Sequence, residues 1–243
     1  PAKKMQHDEN GLAYQDLPVF LSDAETIKAS LKEKSFSELK ALWACNDKIT
    51  EQNIERLSSM DLRGRLTPAI LSYDGIAYQY MAPTVFETEM LHYVQEHLRI
   101  LSGFYGILKP MDGVTPYRLE MQAKLELCGT NNLYDYWRDR LYKELRDSSG
   151  VIVNLASKEY SKCIEKYLQA EDSYITCNFF EEVQGKLVQK GVYCKMARGE
   201  MVRFMAENRI EEPEEIKLFS VMGYRFSKDL SSEKEYIFVR KKE

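Results

Sequence analysis

The sequence predicts an α+β fold in which one mixed sheet is partly wrapped by helices. Helix signals dominate the first half of the 243 residues, and strand signals dominate the second half. This order differs from the regular alternation of strands and helices in a doubly wound fold. Hydrophobic residues make up 44% of the chain, enough to fill a large core, and no Gly/Ser-rich linker or repeat divides it. We therefore expect a single domain over residues 1–243.

Helices are expected first along the chain. Segments that begin at Ser22, Ser35 and Thr84 each open with Ser/Thr-x-x-Glu, a pattern in which hydroxyl and carboxylate cap exposed backbone N–H groups. The third of these helices is expected to end at Gly103, since glycine favours the left-handed cap. Apolar residues every four positions predict another helix at 133–146, and "ARGEMVRFMAENRI" predicts a late one.

Strands are expected after residue 150. The β-branched run "VIVNLA" at 151–156 predicts a short buried strand. The segments "SYITCNFFEEV" and "KLVQKGVYCKM" flank Gln184 and Gly185, which predicts a hairpin. The stretch 217–241 predicts two final strands joined by a polar turn.

Composition limits the classes of partner. The 34 basic and 38 acidic residues give a net charge of −4, so local cations must hold any anionic partner. Five cysteines without a C-x-x-C pair argue against a disulfide framework and a zinc knuckle, and they suit a reducing compartment. No apolar run nears the ~20 residues of a membrane span, and no signal-peptide pattern opens the sequence. We expect a cytoplasmic protein with no membrane partner.

The sequence lacks several well-known catalytic and cofactor motifs. It contains no G-x-G-x-x-G, P-loop, H-E-x-x-H or G-x-S-x-G. His92 and His97 are five residues apart, about 140° around a helix, which is poor geometry for sharing a metal. We expect neither a cofactor nor a metal, and direct iron storage is disfavoured because no cluster has metal-ligand spacing.

Three segments have features that suit an anion. The first is "RILSGFYGILKPMDGVTPYRLEM" at 99–121, where Gly103 and Gly106 allow backbone N–H groups to converge on an anion. The cations of this segment are Arg99, Lys109 and Arg118. A second interpretation needs no ligand: Gly103 caps the helix and Gly106 belongs to a turn.

The other two segments follow a strand and open a helix. In "NLASKEYSK", Ser157 is a candidate N-cap with Lys158 beside it, an arrangement that often holds phosphate or carboxylate. In "KMARGEMVRFMAENRI", Lys195 and Arg198 lie at the expected entry of a helix, and Arg203 lies further along. Each segment also fits a solvated helix that binds nothing, but their shared chemistry favours an anionic partner.

Together, "EHLRILSGFYGILKPMDGVTPYRLEM", "NLASKEY" and "KMARGEMVRFMAENRI" resemble the characteristic segments of the YaaA family, bacterial proteins associated with peroxide stress. The opening "PAKKM" resembles the family's "SPAK". The order and spacing match over essentially the whole chain. The resemblance implies one α+β domain, a cytoplasmic location, and a role in limiting damage from hydrogen peroxide and unincorporated iron. It also implies an apolar strand before Pro1.

The resemblance further implies DNA binding through a basic cleft and a helix-hairpin-helix-like element, which would lie near residues 88–115. In the usual element one residue separates the two hairpin glycines, whereas two residues separate Gly103 from Gly106. Pro110 restricts the start of a second helix.

Two classes of function follow. The first is a protein that binds double-stranded DNA, or another phosphate-bearing ligand, through sequence-neutral contacts. Its candidate residues are Arg99, Gly103, Gly106, Lys109, Arg118, Lys124, Ser157, Lys158, Lys195, Arg198 and Arg203.

The second class is an enzyme that acts on a small anionic or nucleotide-like substrate in a closed basic cleft. Its candidate residues are Arg118, Glu120, Ser157, Tyr160 and Arg198, with Glu120 or Tyr160 as general acid or base. For both classes we expect Gly103, Arg118, Ser157, Lys195 and Arg198 to face one concave surface.

Overall fold

The computed structural model describes residues 1–7 and 11–241. Two compact units form, each from separate parts of the chain. The first unit comprises Pro1–Asp74, Leu98–Leu145 and Ala156–Tyr167, and the second comprises Gly75–His97, Arg146–Leu155 and Leu168–Glu243. The α+β class is confirmed, and the single domain over 1–243 stays a prediction.

The helices and strands of the described residues follow in chain order. The α-helices are α1 (Leu21–Lys32), α2 (Phe36–Trp43), α3 (Asp47–Ser59), α4 (Ala69–Ser72), α5 (Ile76–Met81), α6 (Thr88–His97), α7 (Leu133–Trp137), α8 (Arg140–Leu145), α9 (Lys158–Glu165) and α10 (Gly191–Asn208). The strands are β1 (Thr67–Pro68), β2 (Ile100–Ser102), β3 (Gly106–Leu108), β4 (Gly113–Val114), β5 (Val151–Asn154), β6 (Ser173–Val183), β7 (Lys186–Val188), β8 (Tyr224–Phe226) and β9 (Glu235–Lys241). Short 3-10 helices span Pro83–Val85, Pro213–Leu218, Val221–Gly223 and Lys228–Leu230.

The second unit contains the predicted mixed sheet. Its strand order is β5-β6-β9-β8, and β7 pairs with β6. The pairs β5/β6 and β6/β9 are parallel, whereas β6/β7 and β8/β9 are antiparallel. The hairpin predicted around Gln184 and Gly185 is confirmed, and both residues have positive φ (52° and 73°), as a two-residue hairpin turn of the favoured kind requires.

The core of the second unit lies between this sheet and α10. Alternate residues of β6, namely Ile175, Cys177 and Phe179, are buried, as expected when one face of a strand packs on a core. Helix α10 packs so closely on α5 that a Cβ at Gly199 would lie 2.0 Å from the Ala77 carbonyl oxygen. A larger residue at position 199 would force the two helices apart.

The first unit combines helices with two small antiparallel strand pairs, β1/β4 and β2/β3. Ser35 forms the predicted capping box with Glu38 at the start of α2. Helix α1 begins at Leu21 with Phe20 at the cap position, so the pattern at Ser22 predicts the helix but not its cap. The expected helix at 133–146 is instead two helices, since Arg138 adopts a positive φ of 50° after α7.

Two predicted segments have a different secondary structure. The helix expected from Thr84 to Gly103 spans only Thr88–His97, and β2 begins at Ile100, because residues 100–102 pair with β3. The helix-hairpin-helix-like element near 88–115 is therefore not confirmed: strands follow α6. The expected hairpin arm "KLVQKGVYCKM" pairs only over Lys186–Val188, and α10 begins at Gly191.

Candidate functional site

The segment 99–121 is a tightly packed part of the first unit. In the turn between β2 and β3, Ser102 Oγ accepts hydrogen bonds from the backbone N–H groups of Phe104 (3.1 Å) and Tyr105 (2.8 Å). A Cβ at Gly103 would lie 2.6 Å from the Leu119 carbonyl oxygen. Gly106 has a φ of 74°, which glycine adopts without strain. Both glycines are buried, so packing accounts for them without a bound anion.

Three buried hydroxyl groups, of which Ser102 belongs to this turn, are connected by hydrogen bonds. Tyr117 Oη lies 2.7 Å from Ser102 Oγ and 2.8 Å from Tyr73 Oη. Since Ser102 Oγ already accepts from two amides, its own proton is left to donate to Tyr117. Burial raises the pKa of Tyr117 to about 12, so this phenol stays neutral at physiological pH. These hydrogen bonds hold Tyr117 in place and so fix the backbone position of the adjacent Arg118.

Lys109 is the exposed exception in this segment. Of residues 100–121, all of which the structure describes, it alone is exposed. Its backbone N–H donates to Asp112 Oδ2 at 2.8 Å, which fixes the turn at Pro110. Burial raises the pKa of Asp112 to about 6. The Lys109 side chain is therefore exposed to solvent, and its backbone is held in place by the hydrogen bond to Asp112.

The predicted arginines of the first unit are engaged within the protein. Arg118 Nε and Nη2 each donate to the Trp43 carbonyl oxygen at 3.3 Å, and the Arg118 side chain is only 12% exposed. Arg99 donates to the Leu98 carbonyl oxygen at 2.8 Å and is half-buried. Neither guanidinium stands free on the surface.

Arg118 belongs to a cluster that we name the Glu120–Glu159 cluster; its members are Lys3, Arg118, Glu120, Gln122 and Glu159. Glu120 Oε1 lies 2.8 Å from Lys3 Nζ and 3.7 Å from Arg118 Nη2. Gln122 links the two carboxyl groups, since its backbone N–H donates to Glu159 Oε1 (3.3 Å) and its amide to Glu120 Oε2 (3.4 Å).

Within this cluster, the pKa of Glu159 differs from that of a glutamate on the surface. Burial raises the pKa of Glu159, and the nearby Glu120 carboxylate raises it further, against hydrogen bonds from backbone N–H groups. The neighbouring Tyr160 is buried, and burial raises its pKa above the usual range of tyrosine. Paired carboxyl groups in which one has a raised pKa are suited to proton transfer.

The remaining predicted residues of the first unit lie on or near its surface. Ser157 is at the N-cap of α9 as predicted, but within the described residues its side chain makes no capping hydrogen bond. Lys158 is exposed and pairs with Glu165. Lys124 is exposed and, among the described residues, has no ion-pair partner.

In the second unit, the predicted cations lie within α10 rather than at its entry, because the helix begins at Gly191. Lys195 is exposed. Arg203 Nε lies 2.7 Å from Glu207 Oε1 in an ion pair along the helix. Arg198 is half-buried, close enough to the Cys177 and Cys194 thiols to interact electrostatically.

The structure brings some predicted residues together and separates others between units. Arg118, Glu120 and Tyr160 lie in one unit and interact directly or electrostatically. Lys195 and Arg198 belong to the second unit, so the concave surface that they would share with Arg118 stays a prediction.

Sequence reasoning missed Lys3, Gln122 and Glu159. The first stands in "PAKKM" and the last in "NLASKEY", two segments already notable for other reasons. A carboxylate two residues after the predicted N-cap is typical of a helix start, so the sequence gives no sign of its contact with a carboxylate 39 positions earlier.

The described part of the chain has neither a cluster of metal-binding side chains nor a helix suited to span a membrane. No group of three or more His, Cys, Asp or Glu side chains there is arranged to hold a metal ion. His97 lies 3.5 Å from Glu211 and stacks on Tyr93, whereas His92 lies 3.6 Å from Glu96. Among the described helices, none has the length and hydropathy of a membrane span.

Comparison with known proteins places the chain among close relatives. A family model described as "Peroxide stress protein YaaA" matches residues 1–230. A UPF0246 protein of Agathobacter rectalis is 61% identical over 241 residues, which covers 99% of this chain and 97% of the relative. UPF0246 proteins of Desulfitobacterium hafniense (53%) and Pediococcus pentosaceus (48%) align over 240 residues, 99% of this chain and 96% of each relative.

Proposed function

The chain belongs to the peroxide stress protein YaaA family, and from this premise we propose that it binds double-stranded DNA in the cytoplasm without sequence preference. In this proposal, coverage of the duplex limits the damage that hydrogen peroxide and free iron cause. Phosphate contacts supply the affinity. Because such contacts carry no base information, unrelated sequences are bound alike.

The observation that carries the proposal is the position of Lys109. It is an exposed cation on a rigid turn, within a stretch that is otherwise buried or half-buried. A lysine on a fixed backbone loses less freedom when it meets a phosphate than a lysine on a mobile loop. Lys124 and Lys195 are also exposed and lack an ion-pair partner among the described residues. By contrast, Arg99 and Arg118 support the backbone rather than face a ligand.

A salt titration tests this proposal. If about three to five phosphates are contacted, the logarithm of affinity falls with the logarithm of salt with a slope of roughly −2.7 to −4.5. Lys109→Gln should reduce the slope by about one unit on two unrelated duplexes alike. The control is Lys48→Gln, which removes another exposed positive charge, on α3. A flat salt response of the native protein would refute duplex binding.

A second candidate function is supported by the Glu120–Glu159 cluster. Two carboxyl groups, one with a raised pKa, lie beside Lys3 and Arg118 in the first unit. We infer from this that a small anionic or nucleotide-like substrate is bound by the exposed Lys3 and that Glu159 donates a proton to it. Here Glu159, rather than Glu120 or Tyr160, takes the role of the acid.

The two candidates differ in what a Glu159→Gln variant changes. For the enzyme, this variant keeps the hydrogen bond from the Gln122 backbone but abolishes turnover of small anionic compounds from a cell extract, followed by mass spectrometry. For the DNA-binding protein, it leaves the salt slope unchanged. An extract in which the native protein converts no compound would refute the enzyme.

A further inference from the structure

A small polar cavity of about 140 Å³ lies in the first unit. Its lining residues are Gln6, His7, Arg56, Ser59, Thr115 and Pro116. Arg56 is always cationic, and none of the six lining residues is acidic. The volume is roughly four to five times the ~30 Å³ that one water molecule occupies in the liquid, which suits a group of five non-hydrogen atoms.

The walls of this cavity are held by hydrogen bonds within the protein. Gln6 N–H donates to the Ser72 carbonyl oxygen and Ser72 Oγ donates to the Gln6 carbonyl oxygen, both at 2.9 Å. In another lining segment, Thr115 N–H donates to Tyr105 Oη at 3.2 Å. Arg56 belongs to the last turn of α3. The cavity therefore does not need a ligand to form.

Two donors at this cavity remain available. Over the described residues, the Arg56 guanidinium has no carboxylate within ion-pair distance, and the Thr115 hydroxyl has no hydrogen-bond partner, although Thr115 is only 6% exposed. The Ser59 hydroxyl, in contrast, already donates to the Glu55 carbonyl oxygen at 3.1 Å. A guanidinium offers two parallel N–H donors to an oxyanion, and the Thr115 hydroxyl, which lines the cavity, can donate its proton to the same ligand.

We propose that this cavity binds a single phosphate group, either free phosphate or a phosphate monoester, through the Arg56 guanidinium and the Thr115 hydroxyl. This goes beyond contact with a duplex, because one phosphate group enters the cavity while duplex phosphates are met at the surface. Gln6 and His7, which also line the cavity, accommodate the remainder of a monoester.

The direct test is a titration of the full chain with inorganic phosphate at constant ionic strength, followed by amide chemical shifts. Saturable shifts are expected at residues 6, 7, 59 and 115. Arg56→Gln should weaken the apparent affinity by about tenfold or more, because charge-assisted hydrogen bonds are lost. Thr115→Val, which keeps the shape of the side chain, should weaken it by a few-fold. The matched control Arg65→Gln removes an exposed arginine of the same unit and should leave the affinity within about twofold.

Two further comparisons separate the sources of the phosphate. Adenosine monophosphate should shift the same amides, whereas adenosine should not; equal shifts with adenosine would overturn recognition of phosphate. No saturable shift with either phosphate compound, or equal weakening in Arg56→Gln and Arg65→Gln, would overturn the site. Duplex affinity measured on the same variants distinguishes phosphate binding in the cavity from DNA binding at the surface. If Arg56→Gln lost as much affinity for the duplex as for phosphate, the cavity would not be a separate site.

Discussion

Two glutamates, the half-buried Glu159 of the first unit and the buried Glu181 of the second, have pKa values shifted in opposite directions. In the second unit, Glu181 is 2% exposed and bonds to Lys190 Nζ at 2.5 Å and to the Arg240 guanidinium. In the first unit, Glu159 receives backbone N–H donors and faces the carboxylate of Glu120. The cations of the Glu120–Glu159 cluster lie nearer to Glu120 than to Glu159.

The difference in partners separates a structural carboxylate from one available for chemistry. Burial raises the pKa of Glu181, but the hydrogen bonds from Lys190 and Arg240 outweigh it and hold that pKa below the ordinary range. Arg240 also lies 3.9 Å from the centre of the Tyr193 ring, which further fixes the pair. Burial raises the pKa of Glu159 and the Glu120 carboxylate raises it further, while the Gln122 backbone and the Lys3 charge offset only part of this rise. A raised pKa favours the protonated form of a carboxyl group, which is the form that can donate a proton.

The largest expected effect concerns Glu181. Glu181→Gln leaves the largely buried Arg240 and the partly exposed Lys190 without their carboxylate, so the free energy of unfolding should fall by about 2–4 kcal/mol. Urea denaturation measures this loss. The neighbouring Glu182→Gln on the same strand is the control and should change stability by less than about 0.5 kcal/mol. An equally small change in stability in both variants would contradict the structural role of Glu181.

An intermediate effect is expected for Asp112, another buried carboxyl group, whose pKa is raised from 3.8 to about 6. Between those values the folded chain keeps a proton that the unfolded chain has released. The free energy of unfolding should therefore fall as pH rises from about 4 to 6, by at most about 3 kcal/mol. In Asp112→Asn this part of the pH dependence should disappear, and the variant should be more stable than the native protein at pH 8. Unfolding curves at several pH values measure it; an unchanged dependence in the variant would contradict the assignment.

The smallest effect on stability is expected for Glu159→Gln. The glutamine can still accept the hydrogen bond from the Gln122 backbone, and it removes a charge that burial disfavours. The free energy of unfolding at pH 7 should change by less than about 1 kcal/mol. Thermal or urea unfolding measures this, with Glu181→Gln as the comparison. A loss as large as that of Glu181→Gln would mean that Glu159 is also structural.

Local signals predicted much of the fold. The capping box at Ser35 and the hairpin at Gln184 and Gly185 depend on residues adjacent in sequence, and both are confirmed. The end of α6 was not predictable in this way. Leu98 and Leu101 continue its helical spacing, yet pairing between β2 and β3 places residues 100–102 in a strand. Non-local pairing overrides local periodicity there.

The candidate site shows the same limit. Arg118 and Glu120 were found because they lie close together in a segment that stood out in the sequence. Glu159 was not found, because its raised pKa depends on burial and on Glu120, which only folding brings near it. The role of Gly103 is likewise set by the Leu119 carbonyl group 16 positions later. Pattern and spacing predict which segments matter, and tertiary contacts determine what each residue does.

We propose that Glu159 is available for proton transfer, whereas Glu181 is fixed by its cations. A carbon-13 titration of the glutamate side-chain carboxyl groups measures both pKa values in one sample, and the Glu159→Gln and Glu181→Gln variants assign the two signals. The pKa of Glu159 should lie above the ordinary value of glutamate, and that of Glu181 below it. The reverse order, or two ordinary values, would contradict the claim.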